Sequence, residues 1–322
     1  MQAAKEWMNI MKNQKIGIVG TGMIGSSYAA LFTGNGYQAT VLSINDEQTS
    51  NGKKSYGSIY DVLKDRGLVT EKQAEACRSL LTYTLDYKDL ADSDIIFECA
   101  FENKEVKWSV YKEIERNCRK FKALVSTSSA MVPEDLMQGL AENKDKLMVA
   151  HPFNPPHLVP FVEMVRSSKT SDEAAGLVYD MLEDCGRKVC IMKKSAPGFI
   201  ANRLQHALLR EAMYMVEQGM ASPRDIDKAL MYSFMPRYTS VGLFEHQDAA
   251  GLDMVQSIQN TLLPSLCDYK KSFDMVDEHV AEKKRGQKDG EGIYVWSEED
   301  KARFKRDAAE PYWKYFDWKL PE

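Results

Sequence analysis

Paired cysteines are missing from this sequence. Its six cysteines, Cys77, Cys99, Cys118, Cys185, Cys190 and Cys267, are scattered, with no C-x-x-C among them. No zinc cluster or thioredoxin-type site is expected, and no spacing marks a metal site of another kind. The cysteines read as reduced thiols of a cytoplasmic protein. A membrane-length apolar run is missing too. The most apolar stretch, Ile16 to Phe32, is interrupted by Gly17, Gly20, Gly22 and Gly25, and it falls short of the roughly 20 residues that a span needs. Met1 to Lys15 has no basic stretch followed by an apolar one, so a secretory leader is not expected. Positive charge is not in excess either. There are 42 Lys and Arg against 47 Asp and Glu, a formal net charge of −5. Nothing global favours nucleic acid or an anionic membrane, and an anionic substrate would need a local basic site. Internal repeats and low-complexity tracts are absent.

What is present fits a globular protein. The chain has 322 residues, 44% hydrophobic and 28% charged, enough for two cores at roughly 100–200 residues per domain. Its first half alternates apolar runs with helical periodicity. Strands are expected at Ile16–Val19, Ala39–Leu42, Asp94–Cys99, Ala123–Ser126, Leu147–Ala150, Val159–Val165 and Arg187–Met192. Helices are expected at Met23–Asn35, Asp46–Arg66, Thr70–Leu81, Glu102–Cys118 and Asp172–Cys185. Such alternation predicts crossover units and a mostly parallel sheet. Near Lys193 the pattern changes. Lys193-Lys194-Ser195-Ala196-Pro197-Gly198 reads as a linker, and beyond it the periodicity is helical. The expectation is an α/β domain over residues 1–194 and an all-helical domain over 195–322. The aromatic tail, Tyr312 to Trp318, is expected to pack on a helix or a subunit.

Gly20-Thr21-Gly22-Met23-Ile24-Gly25 is a G-x-G-x-x-G between the first strand and the first helix, the context in which this motif binds a dinucleotide. The first glycine permits the turn, and the second lets backbone approach a pyrophosphate. The third lets helix and strand pack closely, while the helix N-terminus favours negative charge. The bland alternative is a glycine-rich turn without a ligand. An acidic residue about 20 positions on would accept the ribose hydroxyls of NAD. Ser43 stands there, and Asp46 comes only in the following turn. Serine tolerates the 2′-phosphate of NADP, but no arginine stands beside it to bind that phosphate. NAD is therefore expected, with NADP as the alternative.

His151-Pro152-Phe153-Asn154-Pro155-Pro156-His157 follows an apolar run, and its prolines predict a rigid loop at a strand end. A histidine there can take a hydroxyl proton while hydride leaves the same carbon. Glu163 sits among apolar neighbours in Phe161-Val162-Glu163-Met164-Val165, where burial without a partner is costly. Pairing with His151 would fix the imidazole tautomer; an outward-facing strand glutamate is the alternative. Ser126-Thr127-Ser128-Ser129-Ala130 offers hydroxyls at a strand end, either for a substrate oxygen or as a helix cap. Asn202 lies one turn into the linker helix.

Together these residues resemble the 3-hydroxyacyl-CoA dehydrogenase superfamily over nearly the whole chain. The glycine loop carries the resemblance, as do Glu98 with Glu102-Asn103, Ser126 to Ala130, His151 to Pro155, Glu163, Pro197 to Arg203, Gly251-Leu252-Asp253 and Gly290 to Trp296. It implies a Rossmann-like domain followed by a helical domain that forms a homodimer. It implies oxidation of a 3-hydroxyl on a short 3-hydroxy acid or its CoA thioester. His151 would be the base and Glu163 its partner, with Ser128 and Asn202 on the reacting oxygen. Gly20, Gly22, Met23, Ile24, Gly25, Ser43, Glu102 and Lys107 would lie at the cofactor. Pro155-Pro156 and Met235-Pro236-Arg237-Tyr238 are similar to the lambda-crystallin, or L-gulonate 3-dehydrogenase, branch, whose substrates are free acids. Arg237 would then bind a substrate carboxylate. The competing expectation is a non-catalytic dinucleotide-binding protein on the same fold.

Overall fold

The computed structural model describes residues 13–321. The expectation about a leader falls largely on residues outside that range. The first unit comprises residues up to Phe199 together with Ala309 onward. Its elements are β1 (Lys15–Val19), α1 (Met23–Gly34), β2 (Gln38–Leu42), α2 (Asp46–Asp65), α3 (Glu71–Ser79), β3 (Leu81–Thr84), β4 (Ile95–Glu98), α4 (Lys104–Asn117), β5 (Ala123–Ser126), α5 (Pro133–Leu136), β6 (Leu147–Pro152), β7 (Phe161–Arg166), α6 (Asp172–Asp184) and β8 (Lys188–Met192). The strands form one sheet in the order β3-β2-β1-β4-β5-β6-β7-β8. Every neighbouring pair is parallel except β6–β7. The order reverses between β1 and β4, which makes the crevice at their carboxyl ends the place for a ligand.

Alternate strand residues feed two cores. Ile95, Phe97, Ala123 and Val125 join one, while Ile96 and Leu124 join the other. Burial on both faces explains why these strands read as continuous apolar runs. Helix starts follow side-chain chemistry. Asn45 accepts from the Gln48 N–H, Asn103 from Val106 and Ser171 from Ala174, while Thr70 and Gln73 close a reciprocal capping box.

The second unit, residues 200–308, contains α7 (Ala201–Glu217), α8 (Pro223–Tyr232), α9 (Leu243–Ala250), α10 (Leu252–Leu262), α11 (Asp274–Ala281) and most of α12 (Glu298–Ala309). Among the described residues no helix is long and apolar enough to cross a membrane.

Three expectations change. The predicted helix Thr70–Leu81 stops at Ser79, and Leu81-Thr82-Tyr83-Thr84 forms edge strand β3 on β2; its β-branched and aromatic residues suit a half-buried strand. His151 and Pro152 belong to β6 rather than to a loop. Phe153 N–H donates to the Phe161 carbonyl, so hydrogen-bonded pairs alternate and Pro152 falls where no N–H is needed toward β7. Finally, the division at 194/195 with a second domain reaching 322 is corrected. The first unit extends to Phe199 and regains the chain from Ala309, because Trp318 is buried in its main core with Trp313 and Phe316 packed alongside.

Candidate active site

The phosphate loop is shaped by backbone proximity. Gly20 has φ +114, and a Cβ there would lie 2.6 Å from the Cys99 carbonyl oxygen at the end of β4. A Cβ on Gly25 would lie 2.0 Å from the Gly20 carbonyl oxygen, so α1 meets the loop at a distance that excludes any side chain. A Cβ on Gly22 would meet nothing within 4 Å. Gly22 caps α1 without a side-chain bond, and no acidic residue occupies the first turn, which begins at Met23 and Ile24. Two glycines are thus required by the protein's own backbone, and the third faces open space at a helix N-terminus, where a pyrophosphate fits.

Ser43 follows β2 but turns inward. It is buried, and its hydroxyl is shared with the Thr49 hydroxyl and the Thr84 carbonyl. Beyond it Ile44 is exposed, while Asp46 and Glu47 occupy the first turn of α2. The hydroxyl expected to face the ribose is therefore held by protein.

Behind the loop lies a buried ionic cluster that sequence reasoning did not anticipate as a unit. Glu98, 0% exposed, accepts from Lys107 Nζ at 2.8 and 3.1 Å, Tyr111 Oη at 3.0 Å, Ser126 Oγ at 2.8 Å and the Ala100 N–H at 2.8 Å. Lys107 is 1% exposed and also lies 3.3 Å from Glu102. Burial lowers the Lys107 pKa, but the two carboxylates outweigh it and hold the ammonium above its ordinary value. Burial likewise raises Glu102, yet the Ser128 hydroxyl, Lys107 and the Ser129 N–H together hold it below the usual carboxylate range. The Lys107 ammonium is enclosed by carboxylates, whereas the exposed Glu102 is the member open to a ligand.

Glu102 also organises the turn after β5. Its Oε1 accepts from the Ser128 hydroxyl at 2.5 Å and from the N–H groups of Ser129 and Ala130 at 3.0 and 3.3 Å. Ser128 is fully buried, and its oxygen accepts from the Met131 N–H. The hydroxyl expected to meet a substrate is thus spent inside the protein. Ser129, its partly exposed neighbour, escaped sequence reasoning; only its place in the same serine run pointed to it.

His151 and Glu163 are brought together by register. They face each other across the antiparallel β6–β7 pair, and His151 Nδ1 lies 3.0 Å from Glu163 Oε2. His151 is 8% exposed and Glu163 0%. A carboxylate accepts, so Nδ1 is the donor toward Glu163, and in the neutral ring Nε2 is the acceptor. The imidazole packs near Phe153 and Phe199, with ring centroids 6.2 and 5.6 Å away. Phe199 is buried at φ +49, a left-handed conformation costing about 1–2 kcal/mol in a non-glycine residue. Its contact with His151 is a second finding without a sequence signal.

In the second unit, Asn202 lies in the first turn of α7. Arg237 lies in the short helical turn Met235–Thr239, where its Nη1 is 2.9 Å from His246 Nε2. Tyr238 packs tilted on Phe234 and edge-on to His246.

Comparison with known proteins identifies a family. The family model for the 3-hydroxyacyl-CoA dehydrogenase NAD-binding domain matches residues 15–195, and that for the C-terminal domain of the same enzymes matches 198–296. A probable 3-hydroxyacyl-CoA dehydrogenase of Caenorhabditis elegans is 30% identical over 92% of this chain and 99% of its own length. A lambda-crystallin homolog of Bos taurus is 32% identical over 74% of this chain and 75% of its own. The crystal structure of a 5-formyl-3-hydroxy-2-methylpyridine 4-carboxylic acid 5-dehydrogenase, described as an NAD+-dependent dismutase, superposes with a TM-score of 0.83 at 25% identity. That match covers 92% of this chain and 95% of the other.

Proposed function

The chain belongs to the 3-hydroxyacyl-CoA dehydrogenase family, and from that membership we propose that it oxidises the 3-hydroxyl of a short 3-hydroxy acid, or of its CoA thioester, to the 3-oxo compound. The buried His151–Glu163 pair, 3.0 Å apart, carries this proposal. Glu163 holds the Nδ1 proton and orients the ring. His151 Nε2 then takes the proton of the substrate hydroxyl, and the Glu163 carboxylate stabilises the imidazolium that results. Gly20, Gly22 and Gly25 would hold NAD, which when bound would supply the hydride acceptor. Ser129, rather than the spent Ser128, donates to the reacting oxygen.

NAD is favoured over NADP. Ser43 offers no charge, and Asp46 and Glu47 in the next turn would repel a 2′-phosphate. A free carboxylate is the preferred substrate end group, held by Arg237 with its partner His246; the similar pyridine carboxylate dehydrogenase supports this choice. We further propose a homodimer and a reducing compartment, the latter consistent with six unpaired thiols.

The test is a panel of 3-hydroxy acids and 3-hydroxyacyl-CoA esters, run with NAD and NADP and followed by absorbance of the reduced cofactor. His151→Ala is expected to lose about 100- to 10,000-fold in kcat with NAD affinity unchanged. Full turnover by that variant overturns the mechanism.

A further inference from the structure

The tail from Ala309 belongs to the first unit although the whole second unit separates it from Phe199. Two glycines make room for it. A Cβ at Gly34, in the last turn of α1, would lie 2.2 Å from the Trp318 ring. Gly34 does not have a positive φ, so its backbone does not ask for glycine, and alanine would be the better helix former. The indole is what excludes the larger residue. A Cβ at Gly186 would lie 2.1 Å from an Asp317 carboxylate oxygen. Lys319 fastens the same segment, donating its N–H to Asn35 at 3.1 Å and its ammonium to Asp184.

Asp317 stands 3.8 Å from the guanidinium of Arg187, which is 1% exposed. Arg187 Nη1 donates to the carbonyls of Pro156 and Val159 at 3.1 and 3.3 Å, and Nε donates to that of Cys185 at 3.1 Å. Pro156 and Val159 lie in the connection between β6 and β7, the strands that carry His151 and Glu163. Asp317 is the carboxylate paired with this guanidinium among the described residues. Without it a buried cation would stand uncompensated and be drawn toward water, away from both carbonyls.

We propose that the tail is a clamp on the β6–β7 hairpin, with Asp317 and Arg187 as positioning residues that set the His151–Glu163 geometry. The catalytic half of this proposal rests on His151 being the base. The clamp stands on contacts of its own.

Two variants of the full chain test it. Gly34→Ala discriminates by sign: with the tail docked, the added methyl meets Trp318 and the melting temperature falls. A rise, as helix propensity alone dictates, overturns the docking. Asp317→Asn is read by amide exchange and kinetics together. Exchange at Leu158 and Val159 is expected to quicken about ten-fold while Ile18 and Val41 stay protected. kcat is expected to fall about ten-fold with KM and NAD affinity unchanged. Unchanged exchange overturns the clamp, and faster exchange with full kcat overturns the positioning role. A fully active His151→Ala would instead overturn the base assignment, and the exchange data would still decide the clamp.

Discussion

Histidine chemistry in this chain is divided between two neighbours with opposite assignments. His151 is paired with a carboxylate, whereas His157 lies against Ser27, with Nδ1 and Oγ 3.0 Å apart. Burial, with help from the Arg187 cation, pushes the His157 pKa down to about 4. A histidine lowered in the fold is neutral in both folded and unfolded chains above ~6.5. As pH falls below that value the unfolded chain binds a proton that the folded chain refuses until pH reaches about 4. Stability should therefore decline between these limits, by at most about 3 kcal/mol and less to the extent that water screens the ring. Chemical denaturation at a series of pH values should show this slope, and His157→Gln should flatten it. An equal slope in the variant would mean that other groups titrate there.

At the scale of elements, the turn after β5 is only as firm as the cluster beneath it. Lys107→Met would leave Glu98 buried against hydroxyls and one N–H. The expected loss is about 3–5 kcal/mol, read from denaturant midpoints, with part recovered in the double variant Glu98→Gln/Lys107→Met. A loss below about 1 kcal/mol would show that water reaches the cluster. This network also marks where sequence reading stops. β1, α1 and the glycine loop were legible because buried parallel strands read as apolar runs and the glycines sit at fixed offsets. His151 and Glu163 were legible as a pair by chemistry, but their facing register depends on β6–β7 alignment, which the prolines disguised as a loop. The direction of the Ser43 and Ser128 hydroxyls was not legible. Ser43 is held by Thr49 in the next helix and Thr84 on the neighbouring strand, and Ser128 by Glu102, and a serine looks the same whichever way it points. β3 was hidden because the helical pattern of α3 runs directly into it.

For the whole molecule, the apolar surface is concentrated in the second unit. None of the residues in α7 to α12 is fully buried. Met231, Phe244, Leu252, Met254 and Leu262 are among the exposed large side chains there. So many exposed apolar side chains in one unit leave surface for a partner to cover, and the homodimer proposed above would cover it. Sedimentation should give a dimer at micromolar concentration. Phe244→Asp, which sets a charge where the exposed ring now stands, should shift it toward monomer; a variant that stays dimeric would move the interface elsewhere. The returning tail has a different consequence, in the order of synthesis. The cofactor-binding unit lacks Trp318 until the ribosome has made every residue of the helical unit. Its core therefore closes last, after the segment that interrupts it has emerged, and a chain that ended just after α12 would hold an open dinucleotide domain and a complete helical one.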